Sequence, residues 1–280
     1  MSWLDEAWAA VWRRRSGRAA LIALAAIALI ALAGPLLLPD PAAQPDIIGG
    51  ASLPPDAEHP FGTDQLSRDV LSRVVSGARV SLAVAGLAVL VSLTIGASVG
   101  LTAGYLGGAM DAVLMRLVDA GLAIPRLFIL LLLLAVWERI PLPALILILG
   151  TTGWFGTSRL VRGEVIRLRH EPFVSGAEAL GAGRRRVMFR HLLPNTAGPL
   201  LVAATLGVGE VILLEAGLSF LGLGIQPPTP SWGAMILDAK PVLIAAPWTS
   251  LFPGLAILTT VLAVNLLGDA LSDAFDSRVP

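Results

Sequence analysis

Six long apolar runs constrain this chain more than any other feature of its sequence. Each is close to the ~20 residues that an α-helix needs to cross about 30 Å of hydrocarbon. Lipid offers no partner for backbone N–H and C=O groups, so a run that crosses a bilayer must be helical. The runs are Ala19–Leu38, Val80–Ala103, Ala112–Val136, Ile140–Ser158, Thr196–Ile225 and Val242–Gly268. The sequence therefore predicts an all-α, polytopic membrane protein with about six transmembrane helices.

The composition supports this prediction and excludes several other classes of function. Apolar residues make up 55% of the chain and charged residues 14%. A soluble domain carries ~25% charged residues. The formal net charge is zero, so no basic surplus indicates a nucleic-acid partner. The sequence has no cysteine, which excludes disulfides, thiolate chemistry and cysteine-ligated zinc.

The first apolar run also has some features of a secretory signal peptide. Arg13–Arg15 and Arg18 precede it, and Ala31–Ala33 resembles a cleavage site. The apolar stretch is longer than the usual ~7–15 residues of a signal peptide, and the leader carries Asp5 and Glu6. We therefore favour an uncleaved first helix.

The basic residues predict the orientation of the helices, because cytoplasmic loops carry an excess of Lys and Arg. With the N-terminus inside, thirteen basic residues fall on the inner side: Arg13, Arg14, Arg15, Arg18, Arg159, Arg162, Arg167, Arg169, Arg184, Arg185, Arg186, Arg190 and Arg278. The outer side has five: Arg68, Arg73, Arg79, Arg139 and Lys240. Both termini are therefore expected in the cytoplasm.

Polar segments divide the chain between the spans. Pro39–Arg79 and Gln226–Pro241 are the proline-containing outer segments, and Val161–Asn195 is the largest inner piece. The predicted divisions are an N-terminal segment with the first helix (1–79), a transmembrane domain (80–270) that includes the inner loop 161–195, and a cytoplasmic tail (271–280).

The inner loop is predicted to form two short helices. Proline suits the first position of a helix, so Glu171-Pro172 can begin the first one. Phe173, Ala177 and Leu180 follow with the spacing of a single helical face. Gly181 then ends this helix, as glycine commonly does.

The second short helix is predicted over Arg184–Leu193 and is ended by Pro194, with Asn195 placed to cap the next transmembrane helix. Two interpretations of the whole loop stay open from the residues alone. Its arginines either only set the topology, or form a basic patch beside a narrow apolar docking face.

The same loop resembles the coupling loop (EAA motif) of permease subunits in binding-protein-dependent ABC importers. Further segments resemble the dipeptide, oligopeptide and nickel group of that family, and together they cover about His59 to Arg278. The matching segments are Glu171–Val174, Ala177, Ala179–Gly181, His191–Asn195, His59–Asp64, Arg68–Arg73, Gly77–Arg79, Glu215–Gly224, Pro228–Gly233 and Asn265–Asp269. The resemblance implies the fold of a type I ABC importer permease in the bacterial cytoplasmic membrane.

The resemblance also implies partners. These are a homologous second permease, two ATP-binding subunits that dock on the coupling loop, an external substrate-binding protein, and the lipid bilayer. The implied coupling residues are Glu171, Pro172, Phe173, Ser175, Gly176, Ala177, Leu180, Gly181 and Pro194. The chain departs from the family pattern at Ser175, where the name-giving glutamate is expected, and at Glu178, where a basic or polar residue is more common.

ATP hydrolysis is assigned to a separate chain. A P-loop needs GxxxxGK[ST], and the only lysine is Lys240, between Ala239 and Pro241. ATP and Mg²⁺ are therefore expected on the partner subunits, with no cofactor, metal or catalytic residue on this chain.

Several residues within the spans suggest helix contacts or a polar path. Gly96, Gly100 and Gly104 repeat at the spacing that lets helices approach closely, and we favour packing over a sliding surface. Ionisable groups inside a membrane are candidates for function. Arg116 is expected to pair with Asp119. The pathway or helix-interface candidates are Arg126, Glu210, Glu215 and Asn265.

The favoured function is the permease of a peptide importer, carrying di- to oligopeptides. The spans hold no His or Cys to ligate bare nickel. Import of nickel or another small solute is the alternative. A stand-alone secondary transporter or channel is the distant third, since it predicts an internal repeat that is not evident and leaves the coupling loop unexplained.

Overall fold

The computed structural model describes residues 11–276, and every named element in that range is helical. Arg278 and the end of the predicted tail lie outside the described residues, as do Asp5 and Glu6. The helices are α1 (Arg15–Leu37), α2 (Val70–Leu106), α3 (Gly108–Ala123), α4 (Arg126–Leu134), α5 (Leu142–Leu168), α6 (Pro172–Ala179), α7 (Ala197–Phe220), α8 (Trp232–Ala239) and α9 (Trp248–Asp276).

Five helices, α1, α2, α5, α7 and α9, are long and apolar enough to cross a membrane. The pair α3 and α4 passes the same test only when taken together, which gives up to six spans. The all-α polytopic architecture is thus confirmed. Four spans are longer than predicted, since α1 begins at Arg15, α2 begins at Val70, and α5 and α9 continue to Leu168 and Asp276.

The third predicted span, Ala112–Val136, is wrong as a single helix. Its two halves meet at an angle of 81°. Ile124 and Pro125 are extended at the break, with ψ of 125° at both residues. The residue before a proline is driven out of the helical region, and proline has no N–H to continue the hydrogen-bond pattern.

Helices α2 and α5 form the close-packed centre of the fold. A Cβ added at Gly96 would lie 2.7 Å from Cβ of Thr157, and one at Gly100 would lie 2.4 Å from the carbonyl oxygen of Ser158. A Cβ added at Gly104 would lie 2.9 Å from the carbonyl oxygen of Arg162. Close packing at these glycines is therefore confirmed, because any larger side chain would force the helices apart.

A buried network of charges joins the outer segment to α8. Asp64 and Asp238 accept hydrogen bonds from both Arg68 and Arg73, with distances of 2.7 Å (Arg68 to Asp64), 3.1 Å (Arg68 to Asp238) and 2.9 Å (Arg73 to Asp238). The two arginine side chains are 8% and 5% exposed. The sequence motifs included Asp64, Arg68 and Arg73 but not Asp238. Nothing in their spacing indicated that residues so distant in the chain would pair.

Candidate coupling surface and membrane cleft

Helix α6 begins where the sequence predicted. Glu171 precedes it in an extended conformation and Pro172 occupies its first turn. Val174 is buried against α2 and α5, in a cluster with Leu101 and Val165. This contact fixes one side of α6 to the bundle and turns its other side outward.

The outward side of α6 carries the predicted apolar residues. Phe173 and Leu180 are 40% and 91% exposed, while Ala177 is half-buried. Ser175 and Gly176 are also exposed. Exposed apolar side chains grouped on one side of a helix are a candidate surface for protein–protein contact.

Gly181 ends the helix through its backbone conformation. Its φ is +82°, and its N–H donates to the carbonyl oxygen of Glu178 over 2.9 Å. Ala182 N–H closes the turn on the carbonyl oxygen of Ala177 at 3.0 Å. No neighbouring atom lies within 4 Å of a Cβ built at Gly181. The need for glycine is therefore conformational rather than steric.

The second loop helix differs from the prediction. It continues past Pro194 to Asn195, through a π-helical turn over Val187–Leu192. Pro194 has no N–H to donate to a carbonyl oxygen of the preceding turn, and the wider π-helical turn accommodates this. Asn195 does not cap α7, since its side-chain amide donates to the carbonyl oxygen of His191 at 2.6 Å and Thr196 precedes the helix. Pro194 itself is exposed.

A contact that the sequence did not reveal joins α6 to α2. The hydroxyl of Tyr105 donates to Oε1 of Glu178 over 2.9 Å. Both residues line a cleft of about 660 Å³, named here the loop cleft, together with Arg169, His170 and Ser175. In the sequence, Glu178 stands out only as a departure from the family pattern. Tyr105, the single tyrosine of the chain, belongs to no motif.

Arg126 and Glu210 are brought together as an ion pair. Nη1 of Arg126 donates to Oε1 of Glu210 over 2.7 Å, and Nη2 donates to the carbonyl oxygen of Leu149 over 2.7 Å. Nε lies 3.4 Å from Oγ1 of Thr152. The side chain of Arg126 is 20% exposed and that of Glu210 is 60% exposed.

This ion pair lies in a cleft of about 210 Å³ between α2, α5 and α7. Small and hydroxyl-bearing residues leave room around the charges. They are Ser92, Gly153, Gly156, Thr157 and Gly207.

The other two predicted polar residues lie elsewhere. Glu215 is 1% exposed, and its Oε1 accepts hydrogen bonds from Ser219 at 2.7 Å and from Ser231 at 2.9 Å. It therefore ties α7 to the start of α8. Asn265 is exposed on α9, with Oδ1 3.4 Å from a Cβ built at Gly209.

The expected pairing of Arg116 with Asp119 is wrong. Asp119 pairs instead with Arg159 of α5. Residues three apart on a helix are neighbours, but a donor on another helix can take the same carboxylate. Here α5 packs beside α3 and supplies that donor.

Comparison with known proteins decides the family. A family model described as "Binding-protein-dependent transport system inner membrane component" matches residues 92–280. Dipeptide transport system permease protein DppC of Bacillus subtilis is 38% identical over all of this chain and 87% of that relative. The chain belongs to this family of inner-membrane transport components.

Two further relatives agree in length and similarity. A second DppC, from Alkalihalophilus pseudofirmus, is 42% identical over 92% of this chain and 84% of that protein. The oligopeptide transport system permease protein OppC of Bacillus subtilis is 37% identical over 96% of this chain and 89% of its own length. Membership makes the chain a multi-pass permease of the inner membrane, not itself catalytic, which works with ATPase chains and a binding protein.

Proposed function

We propose that this chain forms half of the membrane pathway of an ATP-driven importer of short peptides, from dipeptides to oligopeptides. The assignment of peptides as the substrate is supported by the similarity, over nearly the full length of the chain, to relatives named for dipeptide and oligopeptide transport. A second, homologous permease supplies the other half of the pathway. ATP and Mg²⁺ bind to the partner ATPases.

The exposed side of α6 is the surface on which an ATPase subunit docks. Phe173 and Leu180 supply the apolar contact, and the arginines that follow Gly183 add positive charge to the same loop. Serine at position 175 lacks the charge of the glutamate common in this family, so docking here depends on shape and apolar contact. Glu171, Pro172 and Gly181 set the bounds of the docking helix.

Movement of the docked ATPase reaches the spans by two routes. Val174 and Val187 are buried against α2 and α5, which makes the loop one packed unit with their inner ends. The Tyr105–Glu178 hydrogen bond adds a polar link to α2. ATP-driven closure can thereby rock the long helices between inward-facing and outward-facing states. Both termini lie in the cytoplasm in this arrangement.

Reconstitution tests the substrate directly. The chain is assembled with its partner permease, both ATPases and the binding protein in proteoliposomes, and ATP hydrolysis and uptake are measured with a mixed pool of di- to oligopeptides. Peptides should stimulate both activities. Stimulation by a nickel chelate, with none by any peptide in the pool, would contradict the proposal.

A further inference from the structure

The Arg126–Glu210 pair places two charges at the depth of the membrane spans. Glu210 lies past the middle of the 24-residue helix α7, with apolar helix on both sides, and is 60% exposed. A carboxylate that faces hydrocarbon at this depth is strongly disfavoured, so ionisable residues in spans face water or protein. This side of α7 therefore borders the interior of the assembly rather than lipid.

The break between α3 and α4 points to the same place. Arg126 is the first residue of α4, directly after the extended Ile124 and Pro125. Non-helical backbone at membrane depth occurs only where protein buries it or where it lines a water-filled cavity. Arg126 and Glu210 both line the cleft of about 210 Å³. The cleft thus combines a broken helix, a pair of charges and room for a small polar group.

The two partners of the ion pair are held very differently. Arg126 is anchored by the carbonyl oxygen of Leu149 at 2.7 Å in addition to Glu210, and only 20% of its side chain is exposed. Glu210 is 60% exposed and meets Arg126 through one carboxylate oxygen. A fixed guanidinium with an exposed carboxylate partner is a receptor whose counterion can be exchanged, because another carboxylate can form the same hydrogen bond.

We propose that Arg126 binds the terminal carboxylate of the peptide during translocation and that Glu210 occupies this position between transport cycles. The proposal rests on the function proposed above. A peptide at neutral pH has a carboxylate and an ammonium group, since their ordinary pKa values are about 3.5 and 8. When the peptide carboxylate takes Nη1 of Arg126, the released Glu210 is free to bind the ammonium group of a short peptide.

This exchange keeps every charge paired. A buried charge left without its partner is costly, whereas here one ion pair is replaced by two. The site then favours a zwitterion over a ligand that has only a negative or only a positive charge. It makes no contact that depends on the side chains of the peptide. That property suits a pathway for peptides of many sequences.

A cysteine reporter in the cleft tests this exchange. Ser92 lines the cleft, and cysteine is close to serine in size. The natural sequence contains no cysteine, so Ser92→Cys is the only thiol of the chain. The permease–ATPase complex with this substitution is placed in proteoliposomes without the binding protein. Modification by a sulfonate-bearing thiosulfonate reagent is followed on this chain by mass spectrometry, with alanyl-alanine or its C-terminal amide present at millimolar concentration.

The free dipeptide should slow modification several-fold, and the amide should not. Adding Arg126→Gln should abolish the protection. Adding Glu210→Gln should bring protection by N-acetyl-alanyl-alanine, which has the carboxylate but no ammonium group, at lower concentration, because the competing carboxylate is gone. Arg159→Gln, which removes the partner of Asp119 outside the cleft, is the matched control and should leave protection unchanged.

Three results would overturn the proposal: no modification of the cysteine, equal protection by dipeptide and amide, or protection by the acetylated dipeptide that Glu210→Gln fails to enhance. The Glu210→Gln result tests the proposal even if the Arg126→Gln complex fails to assemble. These failures differ from failure of the peptide-importer function. Uptake of peptides by the unmodified complex with its binding protein would still succeed if only the role of Arg126 were wrong.

Discussion

Tyr105, near the C-terminal end of α2, donates its hydroxyl to the carboxylate of Glu178 on α6 over 2.9 Å. The two residues are 73 positions apart, and both line the loop cleft between α6 and α2. The bond therefore connects the surface proposed to receive the ATPase with a helix that borders the membrane cleft at Ser92.

Tyr105→Phe should weaken the coupling of ATP hydrolysis to transport. A hydrogen bond of this kind contributes ~0.5–1.5 kcal/mol, so we expect uptake per ATP to fall roughly twofold to tenfold. The measurement is peptide uptake and ATP hydrolysis in the same proteoliposomes. Glu178→Gln is the matched control, because its amide oxygen still accepts from Tyr105, and its effect should be smaller. An unchanged ratio in Tyr105→Phe would show that the bond plays no part in coupling.

Gly181 should tolerate substitution poorly. Its φ of +82° costs an L-residue roughly 1–2 kcal/mol, and a β-branched side chain more, so Gly181→Val should unwind the end of α6 and abolish uptake. Gly183 in the same loop is the control, since its φ is −66° and a Cβ there meets nothing within 4 Å, so Gly183→Ala should retain uptake. Membrane insertion and co-purification with the ATPase are measured alongside. Equal uptake in both variants would argue against a docking helix ended at Gly181.

The sequence predicted the fold well where a physical signal is local. Apolar length determined five spans, and Pro172 with Gly181 determined the bounds of the docking helix, because backbone conformation there depends on neighbouring residues. The proline at position 125 also indicates a bend. The length of the apolar run alone predicted one straight helix there.

Pairings between distant residues were not predictable in the same way. Asp119 was assigned to Arg116 by helical spacing, yet Arg159 on a neighbouring helix is its partner. The link between Tyr105 and Glu178 and the network around Asp64 likewise depend on how helices pack. The sequence shows which residues are charged. It does not show the angles at which the helices cross, and these angles decide which charges meet.

The proposed topology can be tested with single cysteines, since the chain has none of its own. Ala57 and Thr229 are exposed in the proposed outer segments, and Ser175 is exposed on the inner loop. In intact cells an impermeant thiol reagent should label Ala57→Cys and Thr229→Cys and should label Ser175→Cys only after the membrane is opened. Labelling of Ser175→Cys from outside would reverse the orientation inferred from the arginines.

The outer charge network should make a large contribution to stability. Arg73 is 5% exposed and is shared by Asp64 and Asp238, so Arg73→Leu leaves two carboxylates with one arginine between them. Removing one member of a buried pair typically costs ~3–5 kcal/mol, because the remaining charge is left without its partner.

We therefore expect Arg73→Leu to lower the thermal unfolding midpoint of the purified complex and to speed proteolysis of the outer segment. Arg167→Gln is the comparison, since Arg167 is 59% exposed beside Glu164 and such surface pairs contribute only ~0–1 kcal/mol. The double variant Arg73→Leu with Asp238→Leu restores charge balance around Asp64 and Arg68, and should recover part of the lost stability. If Arg73→Leu unfolds at the same temperature as Arg167→Gln, the network does not hold α8 against the start of α2.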